Sequence, residues 1–218
     1  MTYDTTYLAA DFFQFIKDTQ AWTGHERHAL KLARALEIRV RVGLLNRSNP
    51  EGLNGPQIMV QPWYYGNSDM LRHEVAHVMI WWSGLEAEII HEFGHEAGWK
   101  VIENLCHQAI AFLRIPQPLV DDAVKKFGVT ARAVQHLAKQ TGARPEVAMR
   151  RLVYDDPRAL RAGFILNGAY VQEVAQCNWS LHFGWLDHVP KVRKSFPQDA
   201  NVSYLKLPGT QSVGVCWG

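Results

Sequence analysis

The chain has 218 residues, 47% of them hydrophobic and 20% charged, which is enough for one substantial core and excludes the disordered and fibrous classes. A formal charge of +2 and a pI near 8.4 exclude a molecule coated with cations for nucleic acid or a membrane surface, so any basic patch must be local. Cys106, Cys177 and Cys216 are odd in number and form no CxxC pair. Neither a disulfide framework nor a thiolate zinc site is read from them, and a reducing cytoplasm fits. Met1 to Ala10 lacks a basic start and a long apolar run, and no later stretch approaches the length of a membrane span, so neither secretion nor a membrane partner is expected.

In chain order, the apolar spacing predicts a helix from Leu8 to Trp22 around Phe12, Phe13 and Ile16, and a second from His25 to Glu37. Ile38 to Leu44 alternates apolar residues with Arg39, Arg41 and Gly43, which predicts a half-buried strand. Asn46 to Pro56 reads as turns, and Gln57 to Gln61 as a second short strand. Asn67 and Ser68 are candidate N-caps for a helix that runs without Gly or Pro to Trp82. After Ser83-Gly84 a polar, His-rich connection is expected as far as Gly98, then a strongly apolar helix from Trp99 to Ile115, closed by Pro116. Three helical segments follow (Leu119 to Phe127, Thr130 to Thr141, Pro145 to Tyr154), and the tail from Gly163 reads as strand and loop.

His73-Glu74-Val75-Ala76-His77 carries the chemistry. Two histidines four residues apart on a helix leave the same face one turn apart and can share one tetrahedral Zn2+. Glu74, one residue after the first, is the candidate general base that takes a proton from water at the metal and returns it to the leaving amine. A pattern of three fixed positions also occurs by chance. Here it lies in a nearly all-apolar helix, where two histidines and a glutamate are costly without a partner such as a metal.

His91-Glu92-Phe93-Gly94-His95 repeats the pattern, but Gly94 and Gly98 weaken a helix there, and this copy is read as accessory or accidental. A third metal ligand has two candidates. Glu103 is the only carboxylate between Gly98 and Pro116, on a helix with an apolar face to pack against the motif helix; its bland alternative is a solvated edge beside Lys100, Asn104 and His107. His95 is the rival, delivered by a returning loop.

These motifs resemble the ImmA/IrrE family of zinc metallopeptidases. The pattern is HExxH at His73 to His77, a Glu about 25 residues on at Glu103, a helix from there to Pro116, and then a stretch here running Leu137-Ala138 to Arg151-Leu152. The match covers roughly residues 25 to 175. It implies an α+β, predominantly helical chain with a zincin-like core and a small β-sheet in residues 1–118, a helical helix-turn-helix-like region in 119–162, and a β-rich tail in 163–218. It implies zinc held by His73, His77 and Glu103, with Glu74 catalytic, and a helix-turn-helix repressor as the protein substrate, cut to release stress, DNA-damage or mobile-element genes. This chain departs from the pattern in having Cys106 and His107 where small residues and Asn are usual, in its second HExxH, and in being too short for the sensor domain of the radiation-response branch.

Two other readings stand beside this one. SprT-like proteases place a third His 15 to 20 residues after HExxH with an aromatic four residues on, which His95 and Trp99 satisfy, but this leaves the match beyond Pro116 unexplained. A non-catalytic DNA-binding regulator with a structural metal site would rest on the helices from Leu119 to Tyr154. The basic residues there (Lys125, Lys126, Arg132, Lys139, Arg150, Arg151) are scattered over three segments rather than aligned on one helix, which suits a protein partner at least as well as a phosphate track.

Overall fold

Helix α1, Thr6–Trp22, buries Leu8, Phe12, Phe13 and Ile16, positions spaced one helical turn apart. The computed structural model of the chain describes residues 6–196 and 200–218. It separates into two compact units, Met1–Gln117 and Pro118–Gly218.

In the first unit α2 is shorter than the predicted His25 to Glu37: it spans Ala29–Ala35, and Glu37 at φ 57° turns the chain into β1, Arg39–Val42. β2, Arg47–Asn49, and β3, Gln57–Val60, complete a sheet ordered β1-β3-β2, parallel between β1 and β3 and antiparallel between β2 and β3. β2 was not foreseen, since three residues inside a turn-rich stretch carry no usable period.

Helix α3, Asp69–Trp82, starts where Ser68 accepts a hydrogen bond from the Leu71 amide at 3.1 Å, satisfying one of the free donors of the first turn. Its N-terminal end is pinned by buried Arg72, which donates to Asp69 (3.1 Å), to the Asn67 side chain and to the Arg27 carbonyl (2.6 Å). Asp69 also pairs with Arg114 at 2.9 Å.

The polar connection expected between Gly84 and Gly98 is instead helical. α4 spans Leu85–Arg114, interrupted at Gly94, where φ 74° and ψ 168° lie outside the helical region and are accessible in practice to glycine alone. Leu85 and Ile89, one turn apart, are buried and give this first half an apolar anchor, while Glu86 and Glu88 suit its positive N-terminal end. Beyond the break, Ile102, Leu105, Ala109 and Phe112 line the buried face, and Phe112 stacks on Phe13 of α1 with ring centroids 4.2 Å apart. The hydrophobic positions of α1, α3 and α4 thus form one core, and the His73 to His77 motif is embedded in it.

The second unit holds α5 (Gln117–Phe127), α6 (Ala131–Thr141), α7 (Pro145–Val153) and four antiparallel strands. The strands β4 (Arg161–Asn167), β5 (Tyr170–Cys177), β6 (Asn201–Lys206) and β7 (Gln211–Trp217) are ordered β5-β4-β7-β6. Both faces of β4 are covered. Ala162, Phe164 and Leu166 join an aromatic cluster with Phe183, while Gly163 lies so close to Met149 of α7 that a Cβ there would stand 2.7 Å from its side chain. That is why Ala162 to Leu166 is a continuous buried run rather than an alternating one. Helices predominate over two small sheets, an α+β arrangement, and among the described residues no helix is long and apolar enough to cross a membrane.

Candidate metal centre

α3 and α4 bring His73, His77 and Glu103 together, and among the described residues this is the one group of three or more His, Cys, Asp or Glu side chains with ligand atoms in mutual reach. The His73 and His77 Nε2 atoms are 3.1 Å apart, His73 Nε2 lies 3.3 Å from Glu103 Oε2, and His77 Nε2 lies 3.2 Å from Glu103 Oε1. Ligands at 2.0–2.1 Å around a tetrahedral zinc are separated by about 3.3 Å. The three side chains therefore stand at separations close to that edge length, each histidine nearest a different oxygen of Glu103. A metal ion fits this donor set, and the half-exposed Glu103 side leaves it open to solvent.

The electrostatics agree. Burial lowers the His73 pKa to about 4, with His77 and His107 adding to the effect, and burial likewise lowers that of His77. Both rings are neutral near pH 7, with lone pairs free to bind a metal. His107 contributes directly: its ring lies against that of His73, with centroids 4.4 Å apart. His73 Nδ1 is buried without a hydrogen-bond partner among the described residues, so the ring is oriented by packing rather than by an acceptor behind it.

Glu74 is buried at 6% exposure, and its carboxyl is raised to about 7, first by burial and then by the neighbouring Glu103 charge. Ser48 opposes this by hydrogen bonding to the carboxylate from its side chain and backbone. Ser48 is the middle residue of β2, an edge strand. This contact could not be foreseen from the sequence because the strand itself was not.

His95 does not join the trio. It accepts a hydrogen bond from Trp99 Nε1 at 3.1 Å, and the loop that was to deliver it is part of α4. His91, Glu92 and His95 are exposed, and Glu92 is engaged by the Tyr7 hydroxyl.

A radiation response metalloprotease, IrrE, of Deinococcus radiodurans is 31% identical over 88 residues, covering 40% of this chain and 27% of that protein. The protein of the same name from Deinococcus deserti is 34% identical over 71 residues, covering 32% of this chain and 25% of its own length. Over these stretches this chain is similar to the IrrE metalloproteases. The matched stretches span about a quarter of the IrrE proteins' length, and they support the ImmA/IrrE resemblance carried by the motifs. No protein-family model matches the chain.

Proposed function

We propose that this protein is a cytoplasmic zinc-dependent endopeptidase that cleaves a helix-turn-helix transcriptional repressor. The observation that carries the reading is the trio His73, His77 and Glu103 at tetrahedral spacing beside a buried carboxylate, Glu74, raised to about 7. The relationship to proteins named metalloprotease supports both the metal and the reaction class.

His73, His77 and Glu103 would hold the ion, two neutral nitrogens and one carboxylate being a donor set suited to zinc. Zinc so bound supplies Lewis acidity and makes hydroxide available near neutral pH. Glu74 carries the proton. Its carboxyl, buried one residue from His73, would accept a proton from the attacking water and give it back to the departing amine. Ser48 holds this carboxylate in place, and the β2 edge to which it belongs offers backbone groups for an extended peptide to pair with. The α1, α3 and α4 helices with the first sheet serve as a zincin-like peptidase core, and residues 119–162 as a helix-turn-helix-like region facing the protein substrate rather than DNA.

Co-expression with candidate helix-turn-helix repressors, followed by mass analysis of fragments, tests this. Wild-type protein yields two defined fragments of one repressor, and zinc-replete Glu74→Gln yields none. Equal cleavage by Glu74→Gln overturns the mechanism. Steeply salt-dependent, sequence-specific duplex binding without cleavage replaces the proposal with a DNA-binding regulator.

A further inference from the structure

Alongside the metal trio the first unit contains a cavity of about 500 Å³, lined by Trp81, Glu86, Ile90, His91, His95 and Trp99 among others. Its placement follows from helical arithmetic. Trp81 stands one turn beyond His77 on α3, and Trp99 one turn before Glu103 on α4, on the unbroken side of Gly94. The cavity therefore begins one helical turn, about 5.4 Å along each axis, from two of the three candidate ligands.

Its one carboxylate is that of Glu86, and its other titratable groups are His91 and His95. Glu86 is partly buried and forms no hydrogen bond or ion pair among the described residues, and Glu51, on the turn after β2, is near enough to act on it electrostatically. Burial first and Glu51 second raise the Glu86 carboxyl above its ordinary value; the helix N-terminus is a favourable neighbour, but no side-chain cation pairs with it among the described residues. No Lys or Arg lines the cavity. Two indoles beside a carboxylate that no side-chain cation pairs are complementary to a cation that brings apolar surface with it, because aromatic faces attract cations and the carboxylate completes the pairing.

We infer that this cavity is a specificity subsite for a basic side chain, arginine or lysine, of a residue flanking the scissile bond, with Glu86 as the charge partner and Trp81 and Trp99 as its walls. The inference rests on the endopeptidase reading for its biological sense, while binding in the cavity can be measured without cleavage.

The test uses the full zinc-loaded chain carrying Glu74→Gln, titrated with blocked pentapeptides of alanine whose central residue is arginine, citrulline, norleucine or phenylalanine. Indole 15N–1H resonances of Trp81 and Trp99, assigned through Trp81→Phe and Trp99→Phe, report occupancy. The arginine peptide should shift both signals and bind roughly ten-fold tighter than its neutral isostere with citrulline. Glu86→Gln should remove most of that preference, and Glu51→Gln a smaller part. Absence of binding, equal or tighter binding of norleucine or phenylalanine, or an arginine preference indifferent to Glu86→Gln each overturns the inference. The repressor-cleavage assay is run in parallel: no cleavage with the arginine preference intact sinks the endopeptidase reading alone, and cleavage without the preference sinks the subsite alone.

Discussion

The chain contains the pattern His-Glu-x-x-His twice, 18 residues apart, and the two copies have opposite fates. In α3 the helix is continuous, His73 and Glu74 are buried, and both histidines converge on a carboxylate from a neighbouring helix. In α4 the same letters straddle Gly94, whose φ of 74° breaks the turn that would set His91 above His95, and the three polar residues face outward. An i, i+4 spacing thus acquires chemical meaning only through an unbroken helix and a third donor brought up by packing. Burial adds the rest, by keeping the imidazoles neutral and raising the glutamate.

The sharpest way to break this comparison is to exchange alanine for a histidine in each copy. His73→Ala or His77→Ala should take the metal content from one ion per chain to essentially none, whereas His91→Ala or His95→Ala should leave it unchanged, as read by elemental analysis of purified protein. Zinc lost in His95→Ala and kept in Glu103→Ala would return the SprT-like assignment. Next in size, Glu74→Gln should retain metal while cleavage falls roughly 10²- to 10⁴-fold, and Glu92→Gln should cleave normally. Equal losses in the two variants would mean that the buried copy has no special role.

A pH series sharpens the same contrast. In metal-free protein the buried imidazoles have pKa values below the unfolded value of 6.5, that of His73 near 4, so the unfolded chain binds more protons in between. Glu74, raised to about 7 in the folded state, acts in the opposite sense between about 4.5 and 7, so the imidazole effect is read in Glu74→Gln: there stability should hold above pH 6.5 and decline as the pH falls toward 4, by denaturant midpoint, and adding His73→Asn should flatten part of that decline. Smallest of the set is Gly94→Ala. Its backbone angles are hostile to a side chain, so the variant should lose about 1–3 kcal/mol by denaturant titration with metal content unaltered.

What was legible in the sequence tracks how local the cause is. Ser68 caps α3 because a short hydroxyl before a long apolar run has one good use, and the starts of α6 and α7 fall at Thr130 and Pro145 for similar reasons. The three residues named for the metal are those that the fold gathers, Glu103 being the lone acid between Gly98 and Pro116, on the half of α4 whose apolar face had to pack against α3. The break at Gly94 was misjudged: a glycine that merely weakens a helix and a glycine that punctuates a longer one look alike until the buried Leu85 and Ile89 are seen. Ser48 and His107 were hidden for a different reason. Their roles, bonding Glu74 and backing His73, arise from a three-residue strand and from ring packing across helices, neither of which leaves a period in the chain.

The basic residues of the second unit change meaning as well. Arg151, 1% exposed, pairs with Asp155 at 2.7 Å, and Arg150 pairs with Glu173 at 2.7 Å. Reversing both charges, although basic residues there read on sequence grounds as a surface for a protein partner, would instead bury an acid beside Asp155 and set another beside Glu173, destabilising the unit. Arg132, exposed on α6, and Lys139, in its last turn, are better probes of that surface.

All three thiols are free and buried, and burial raises the pKa of each, in Cys106 with help from the Glu103 and Glu74 charges. Peroxide attacks thiolates, and an attacked thiolate climbs through sulfenic to irreversible acids. Cys106 lies three residues from Glu103 on α4, yet, buried and protonated, it presents neither a reactive sulfur nor a soft donor to compete for an ion held by the trio. A candidate centre whose donors are imidazole and carboxylate, with its nearest thiol held protonated by burial, should keep its ligands under peroxide that disables cysteine-based enzymes.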